Sequence, residues 1–586
     1  LTNIIGVSAH FHDAACCLLQ DGNLVAAAEE ERFSRQKHDP RIPLSAFNYC
    51  LREGGISIDQ VDCVAYYERP ARKLARQICT MLPALLSDPK NMARLEPRQS
   101  EFDIRERLGF EGPIYNVGHH EAHAASAFFF SGFSQAAILV ADAVGEWDTT
   151  TYSRGCGNDL EIFESVEFPD SLGLLYSAIT GYLGFEVNEG EYKVMGLAPY
   201  GKPIYHDRMR KLIDNLEKGQ YRLNLKYFDF QARDRMHSDE MIALLGEPAR
   251  SPGSEIRDFH KDVAASLQLV LEEILLAKCS YLHSVTGYEN LCMAGGVALN
   301  CVANGKILRQ GPFHKMFVQP AAGDAGGCLG AAALALRQMG HGGHNPRPLE
   351  HVFLGPAYDN DTIGNLIEDA GFPAVDFRGR ETELLQAVAS HLAEGRVVAW
   401  FQGRMEFGPR SLGSRSILAD PRDGGMRDRI NSLVKKRESF RPFAPSVIET
   451  SAAKHFDINH PSRFMLETCQ VTSSLQLPAI THIDGSARVQ TVDKNASPRF
   501  TRLLEAFEAR TGCPILLNTS FNMKDEPIVC SPVDALVCFI RADIDILVLQ
   551  DFVIERSAVG PACQLLFRSV RLAPNTAVGH RTYTFL

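Results

Sequence analysis

The chain opens on short apolar runs separated by polar breaks, in the stretch IIGVSAHFHDAACCLLQDGNLVAAAEEERF. Runs of strand length flank a polar loop at His10–Asp13 and an Asp-Gly-Asn turn, which predicts three consecutive strands. The order recurs in AAILVADAVGEWDTTTYSRGCGNDLEIFESVEF: strand, acidic loop, strand, Gly-Asn turn, strand. Both turns carry residues that tolerate the positive φ of a tight hairpin reversal. Helical segments follow each meander, so a duplicated α/β domain with a site between its halves is expected; two unrelated meanders are the alternative. The segment from Met339 to His351 mixes Gly and Pro without apolar periodicity, which is linker chemistry. It predicts two domains, residues 1–345 and 346–586.

Composition narrows the class. The chain has 586 residues, 45% hydrophobic and 22% charged, as an ordinary folded domain protein would. Its net charge of −11 argues against general binding to nucleic acid or anionic membranes. The least charged stretch, Ala124–Ala141, is broken by Ser131, Gly132, Ser134 and Gln135, so no membrane span is expected. The first residues show no basic region leading into an apolar run, so no secretory signal is expected. The 15 cysteines are scattered without a C-x-x-C pair, which suits buried thiols in a reducing, cytoplasmic compartment better than disulfides.

Three patterns carry chemistry. In VGHHEAHAASAFFF, His119 and His123 stand four apart, one face of a helix, so both imidazoles can reach one ion. Surface or cap histidines are the plainer reading of such a pair. Asp142 ends an apolar strand and Asp324 sits in QPAAGDAGG, and two imidazoles with two carboxylates suit iron, zinc or manganese better than calcium. Gly295 and Gly296, then Gly326 and Gly327, precede apparent helices, where glycine lets backbone amides approach a phosphate. Ordinary turns are the alternative for each pair.

The third pattern is electrostatic. Between Trp400 and Pro445 there are ten Lys/Arg against five Asp/Glu, on turns rich in Gly, Pro and Ser. Arginines on tight turns suit phosphate or carboxylate recognition, with structural salt bridges as the other reading. Arg488, Arg499 and the turn LLNTSFN, with Ser520 and Asn522, follow downstream.

Together, FHDAA, EEERFSRQKHD, HHEAHAASAF, GEYKVMGLAPYG, MAGGVALN, QPAAGDAGG, GRMEFGPRSLGSRSILADPR, KKRESFRPFAP and LLNTSFN closely resemble the O-carbamoyltransferases of the nodulation-protein U and tobramycin carbamoyltransferase type. The motifs run in order over nearly the whole chain. The resemblance implies an α/β fold: a duplicated actin/sugar-kinase-like ATPase domain resembling the threonylcarbamoyl-transferase subunit, then a YrdC-like domain. It implies an enzyme that makes carbamoyl-adenylate from ATP and carbamoyl phosphate and passes the carbamoyl group to a hydroxyl of a small molecule. As metal ligands it implies His119, His123, Asp142 and Asp324, with Fe2+ as the ion and Mg2+ accompanying ATP. It implies His12 and Lys37 as catalytic, and Arg410, Lys435, Arg488 and Ser520 at the adenylation site. Lys436 adjoins Lys435, and either is the matching lysine; Asn518 is expected to shape that pocket. His12 is the expected general base, with a structural or orienting loop histidine as the plain alternative.

Rival readings are weaker. The order H-H-E-A-H lacks the H-E-x-x-H arrangement of metalloproteases. A sugar kinase of the same superfold would use ATP without carbamoyl phosphate. Acceptor specificity is expected in Tyr67–Asp103 and Asp207–Arg257, which carry none of the motif residues. A homodimer is the default assembly. The stretch from Arg571 onward carries no motif.

Overall fold

The apolar run Asn3–Ser8 is buried throughout and forms β1, the centre of a five-stranded sheet. This is a computed structural model that describes residues 1–86, 96–230, 235–340, 346–435, 438 and 440–570, with backbone alone at 81–86 and 435. β2 (Ala15–Gln20) and β3 (Asn23–Glu29) continue from β1 as antiparallel hairpins, while β4 (Cys63–Tyr66) and β5 (Ile114–Asn116) add in parallel on the other side. The order is β3-β2-β1-β4-β5.

A second sheet repeats this plan. β6 (Gln135–Ala141) is its centre, β7 (Asp148–Cys156) and β8 (Asp159–Glu167) are the antiparallel meander, and a small hairpin of β9 (Ile213–Asn215) and β10 (Tyr221–Leu223) intervenes in the chain. β11 (Asn290–Ala294) and β12 (Lys315–Val318) then add in parallel, giving β12-β11-β6-β7-β8. Order and strand direction match the first sheet position for position, so the domain is duplicated and has the topology of the actin/sugar-kinase superfold. The β1–β2 loop and the β6–β7 loop are therefore equivalent. The first carries His10–Asp13 and the second begins at Asp142.

The chain divides into two compact units. Among the described residues, the first comprises residues 1–30 and 38–349; the second takes Glu31–Lys37 together with residues 350–570. No hydropathy break announces the short excursion at 31–37. The second unit is also α/β, built on one mixed sheet. Its strands are β13 (Val375–Asp376), β14 (Val398–Phe401), β15 (Arg415–Ala419), β16 (Ala444–Ile448), β19 (Gln490–Val492), β20 (Ile515–Ser520), β21 (Ile546–Leu549) and β22 (Phe552–Glu555). A separate pair, β17 (Cys469–Gln470) and β18 (Ser486–Ala487), stands outside that sheet. The order is β13-β22-β21-β14-β15-β20-β16-β19 over a continuous apolar core that includes Trp400, Leu503 and Phe539.

All fifteen cysteines carry free thiols, and burial pushes several up, Cys279 and Cys292 to about 12. Among the described residues no helix is long and apolar enough to cross a membrane.

Two helices of the first unit matter most, His119–Phe128 and Asp324–Gln338. They pack through small residues. A Cβ on Gly330 would lie 1.7 Å from the carbonyl oxygen of Ala122 and 2.8 Å from the amide nitrogen of Ser126, so only glycine fits. Gly330→Ala must force the helices apart and is expected to cost about 3 kcal/mol, the upper part of the usual overpacking range. Chemical denaturation measures this, and an unchanged midpoint would contradict the close approach.

Candidate metal centre and anion site

Helical spacing places His119 and His123 on one buried face of the first helix, as their separation predicts. Asp142 follows directly on β6, and Asp324 is the first residue of the second helix. Their four donor atoms converge. His119 Nε2 and His123 Nε2 are 3.1 Å apart. Asp142 Oδ2 lies 3.3 and 3.5 Å from them, and Asp324 Oδ1 lies 3.7 and 3.6 Å. A tetrahedral ion with ligands at about 2.1 Å has edges of about 3.4 Å, so the spacing fits a first-row divalent ion.

The outer carboxylate oxygens are tied down, which leaves the inner ones aimed at the imidazoles. Asp142 Oδ1 accepts from the backbone amides of Ala143 (2.8 Å) and Gly296 (3.1 Å). The Tyr67 hydroxyl donates to Asp324 Oδ2 at 3.2 Å. Glu146 accepts from the His119 amide at 3.2 Å and fixes the start of the helix. Burial disfavours charge on His123, yet hydrogen bonds and charges from Asp142 and Asp324 outweigh it and push the imidazole up to about 9. Burial likewise opposes the Asp142 anion, but the two histidines hold it well below the usual carboxylate range. Such a site attracts positive charge, whether proton or metal.

The glycines serve this geometry. Gly295 has φ +87°, and a Cβ there would meet the Ala141 carbonyl at 2.3 Å. Gly326 and Gly327 lie inside the helix, not in a loop ahead of it. Their missing side chains admit the Ala321 carbonyl and the Tyr67 ring. The amide of Gly296 donates to Asp142.

His12 lies in the β1–β2 loop and is part-buried. Its Nδ1 is 2.9 Å from Asp13 Oδ2, and its Nε2 has no hydrogen-bond partner among the described residues. Asp13 Oδ1 is 2.6 Å from His38 Nδ1, and His38 Nε2 is 2.6 Å from Glu189 Oε2. Burial opposes charge on His12, but Asp13's charge and hydrogen bond, with Asp324's charge added, push it up to about 9. The sequence pattern assigned no role to Asp13, His38, Glu189 or Glu146, and placed Tyr67 only at the start of the stretch expected to set acceptor specificity. FHD and QKHD carried the first two in plain view, but their neighbours are distant in the chain. Lys37, the last residue before His38, is half-buried and counted with the second unit.

In the second unit, strand pairing gathers the anion-binding candidates at one end of the sheet. Phe401 pairs with Arg415, Ser416 with Ser520, Ala444 with Asn518, and Ser446 with Gln490. The loop carrying Arg410, the segment before β16 and the residue Arg488 therefore precede strands that start at this end, where β20 finishes with Ser520. Arg488 is half-buried and makes no hydrogen bond or ion pair among the described residues. Ser520 Oγ donates to Asn522 Oδ1 at 2.6 Å. Buried Asn518 donates to Ser446 Oγ and Gln490 Oε1, each at 3.0 Å, and so braces the strands. The side chain of Lys435 and the whole of Lys436 lie outside the described residues.

Several other cations are structural. Arg415 is fully buried, stacks on Phe401 and donates to the carbonyls of Gln402, Gly403, Ser414 and Pro356. Arg422 pairs with Asp420, Arg429 with Asp545, and Arg499 with Glu381 and Asp551. Glu406, which motif reading passed over, accepts from the amides of Leu412, Ser414 and Arg415 and shapes the turn beside Arg410.

Comparison with known proteins agrees with both units. Residues 3–333 match the carbamoyltransferase N-terminus and residues 389–556 the carbamoyltransferase C-terminus. The chain belongs to the carbamoyltransferase family and is an enzyme of that class. It is 43% identical to an uncharacterized protein of Synechocystis, over 95% of this chain and 97% of that one. It is 40% identical to nodulation protein NolNO of Sinorhizobium fredii, over 94% and 80%. Nodulation protein U of the same species is 27% identical over 87% and 92%. Among solved structures, a ROK hexokinase from Thermus thermophilus is 12% identical and covers 57% of this chain and 100% of its own, with TM-score 0.31.

Tyr67→Phe leaves the four donors in place and removes only the hydroxyl on Asp324. Metal affinity, measured by chelator competition, is expected to fall about 10-fold, as for other partners that orient a ligand. Unchanged affinity would remove Tyr67 from the site.

Proposed function

We propose that the second unit activates carbamoyl phosphate with ATP as carbamoyl-adenylate, and that the first unit transfers the carbamoyl group to a hydroxyl of a small-molecule natural product. Atoms balance when carbamoyl phosphate loses its phosphate to water and the carbamate oxygen displaces pyrophosphate from the α-phosphorus of ATP. The observation that carries this reading is Arg488: a half-buried guanidinium with no partner among the described residues, at the sheet end that also holds Ser520. A buried cation without a counterion is costly, and a phosphoanion removes that cost. Arg410 and Lys435 complete the anion site in this reading, and Ser520 turns its hydroxyl from Asn522 to the ligand. Lys37 is assigned to the transfer step with His12.

For transfer, His119, His123, Asp142 and Asp324 hold a divalent ion, with iron the reading the family resemblance favours. Such an ion supplies Lewis-acid polarisation of a carbonyl or phosphoryl oxygen. His12 takes the proton of the acceptor hydroxyl as that oxygen attacks the carbamoyl carbon. It must be neutral to do so, and offsetting the charge of Asp324 favours the neutral form. Free thiols throughout suit a reducing, cytoplasmic setting.

Arg488→Ala is expected to abolish pyrophosphate release from ATP plus carbamoyl phosphate while metal content stays at the wild-type level. Undiminished pyrophosphate release would reject the anion site. ADP formation from ATP and a sugar, with carbamoyl phosphate omitted, would select the kinase reading instead. His12→Asn is expected to slow transfer from preformed carbamoyl-adenylate at least about 100-fold, the lower bound for a general base.

A further inference from the structure

We infer that Asp13, backed by His38 and Glu189, is the positioning residue that fixes the tautomer and aim of His12 for carbamoyl transfer. The inference deepens the proposed role of His12 and rests on it. Its basis is an unbroken chain of contacts, His12 Nδ1–Asp13 Oδ2 at 2.9 Å, Asp13 Oδ1–His38 Nδ1 at 2.6 Å and His38 Nε2–Glu189 Oε2 at 2.6 Å. Each Asp13 oxygen is used by a different imidazole. An ionised carboxylate can only accept, so a neutral His12 presents Nδ1–H to it and keeps its lone pair on Nε2. That atom has no hydrogen-bond partner among the described residues.

The backbone is bent to make this chain. Asp13 and His38 have φ of +57° and +53°, and Asn188, beside Glu189, has +69°. Left-handed φ at residues other than glycine costs about 1–3 kcal/mol each and survives where surrounding contacts over-determine it. Here the loop is stitched to the segment after His38: the His10 amide donates to the Pro40 carbonyl at 2.7 Å and the Ala14 amide to Asp39 at 3.1 Å. The His12 ring also packs on Phe11, with centroids 4.5 Å apart, which limits its rotation.

The step is a proton transfer coupled to acyl transfer. The acceptor O–H proton moves to His12 Nε2 while the Nδ1 proton stays on the Asp13 hydrogen bond. The acceptor oxygen bonds to the carbamoyl carbon, and the bond from that carbon to the adenylate oxygen breaks, with AMP leaving on its electron pair. Nothing is oxidised or reduced.

Groups around His12 predict a signature that general disruption does not give. Besides Asp13 and His38, Asp324 and Glu191 act on it electrostatically. Asp13 raises the His12 pKa and His38 lowers it. Single-turnover transfer from preformed carbamoyl-adenylate, followed against pH, therefore separates the variants. Asp13→Asn is expected to lower the transfer rate about 100-fold with acceptor half-saturation unchanged, and to move the acidic limb of the profile, where His12 loses its proton, to lower pH. Asp13→Glu should recover part of the rate. His38→Gln should lose less and move the limb the opposite way, because a positive charge has gone. Near-normal transfer and an unmoved limb in Asp13→Asn, while His12→Asn is inactive, would overturn the positioning role. Normal transfer by His12→Asn would instead overturn the reading beneath it. If Asp13→Asn loses its metal, Glu189→Gln decides: a slower rate with the limb moved to higher pH supports the chain, and wild-type behaviour refutes it.

Discussion

Two carboxylates and two imidazoles enclosed together impose the constraint around which the first unit is organised. Taking an anion out of water costs several kcal/mol, and Asp142 and Asp324 are both nearly inaccessible. Asp142 is not easily protonated, because the two histidines hold its carboxyl well below the usual range. Positive charge at the centre is the arrangement that satisfies all four. Everything nearby preserves that convergence: the outer oxygens are hydrogen-bonded away, and the two supporting helices meet through Gly330.

Duplication explains how one site acquires two chemistries. Equivalent hairpin loops at the heads of the two sheets diverged, one opening on Asp142 and the other presenting His12 and Asp13. The second half contributes charge that belongs with a cation, and the first contributes an imidazole whose polarity is set by its own carboxylate. Tyr67 links them, since it follows a strand of the first sheet and bonds to Asp324 beyond the last strand of the second.

Much of this was legible before any coordinates. Strand–loop–strand patterning with Gly-Asn turns foretold the meanders, because buried strands and φ-tolerant reversals are local properties. The histidine pair was legible because helical spacing fixes which residues share a face. Contacts between distant segments were not. Nothing local marks His38 as a neighbour of Asp13 and Glu189, or Gly327 as the seat of the Tyr67 ring. The basic stretch from Trp400 to Pro445 shows the limit of charge counting: Arg415, Arg422 and Arg429 hold the fold, which composition alone does not reveal.

The excursion at Glu31–Lys37 has a consequence for taking the protein apart. Arg35 donates to the carbonyls of Pro527 and Ile528, both at 2.7 Å, and faces Asp534, while Arg32 donates to Gly408 at 2.9 Å. Phe33 adds to the small apolar cluster of Met405, Ile528 and Cys530. A gene fragment beginning at the interdomain segment would thus encode a second unit stripped of a native brace, with carbonyls left open to water. Complementation by a synthetic peptide spanning those seven residues, not simple truncation, is the way to obtain that half in isolation.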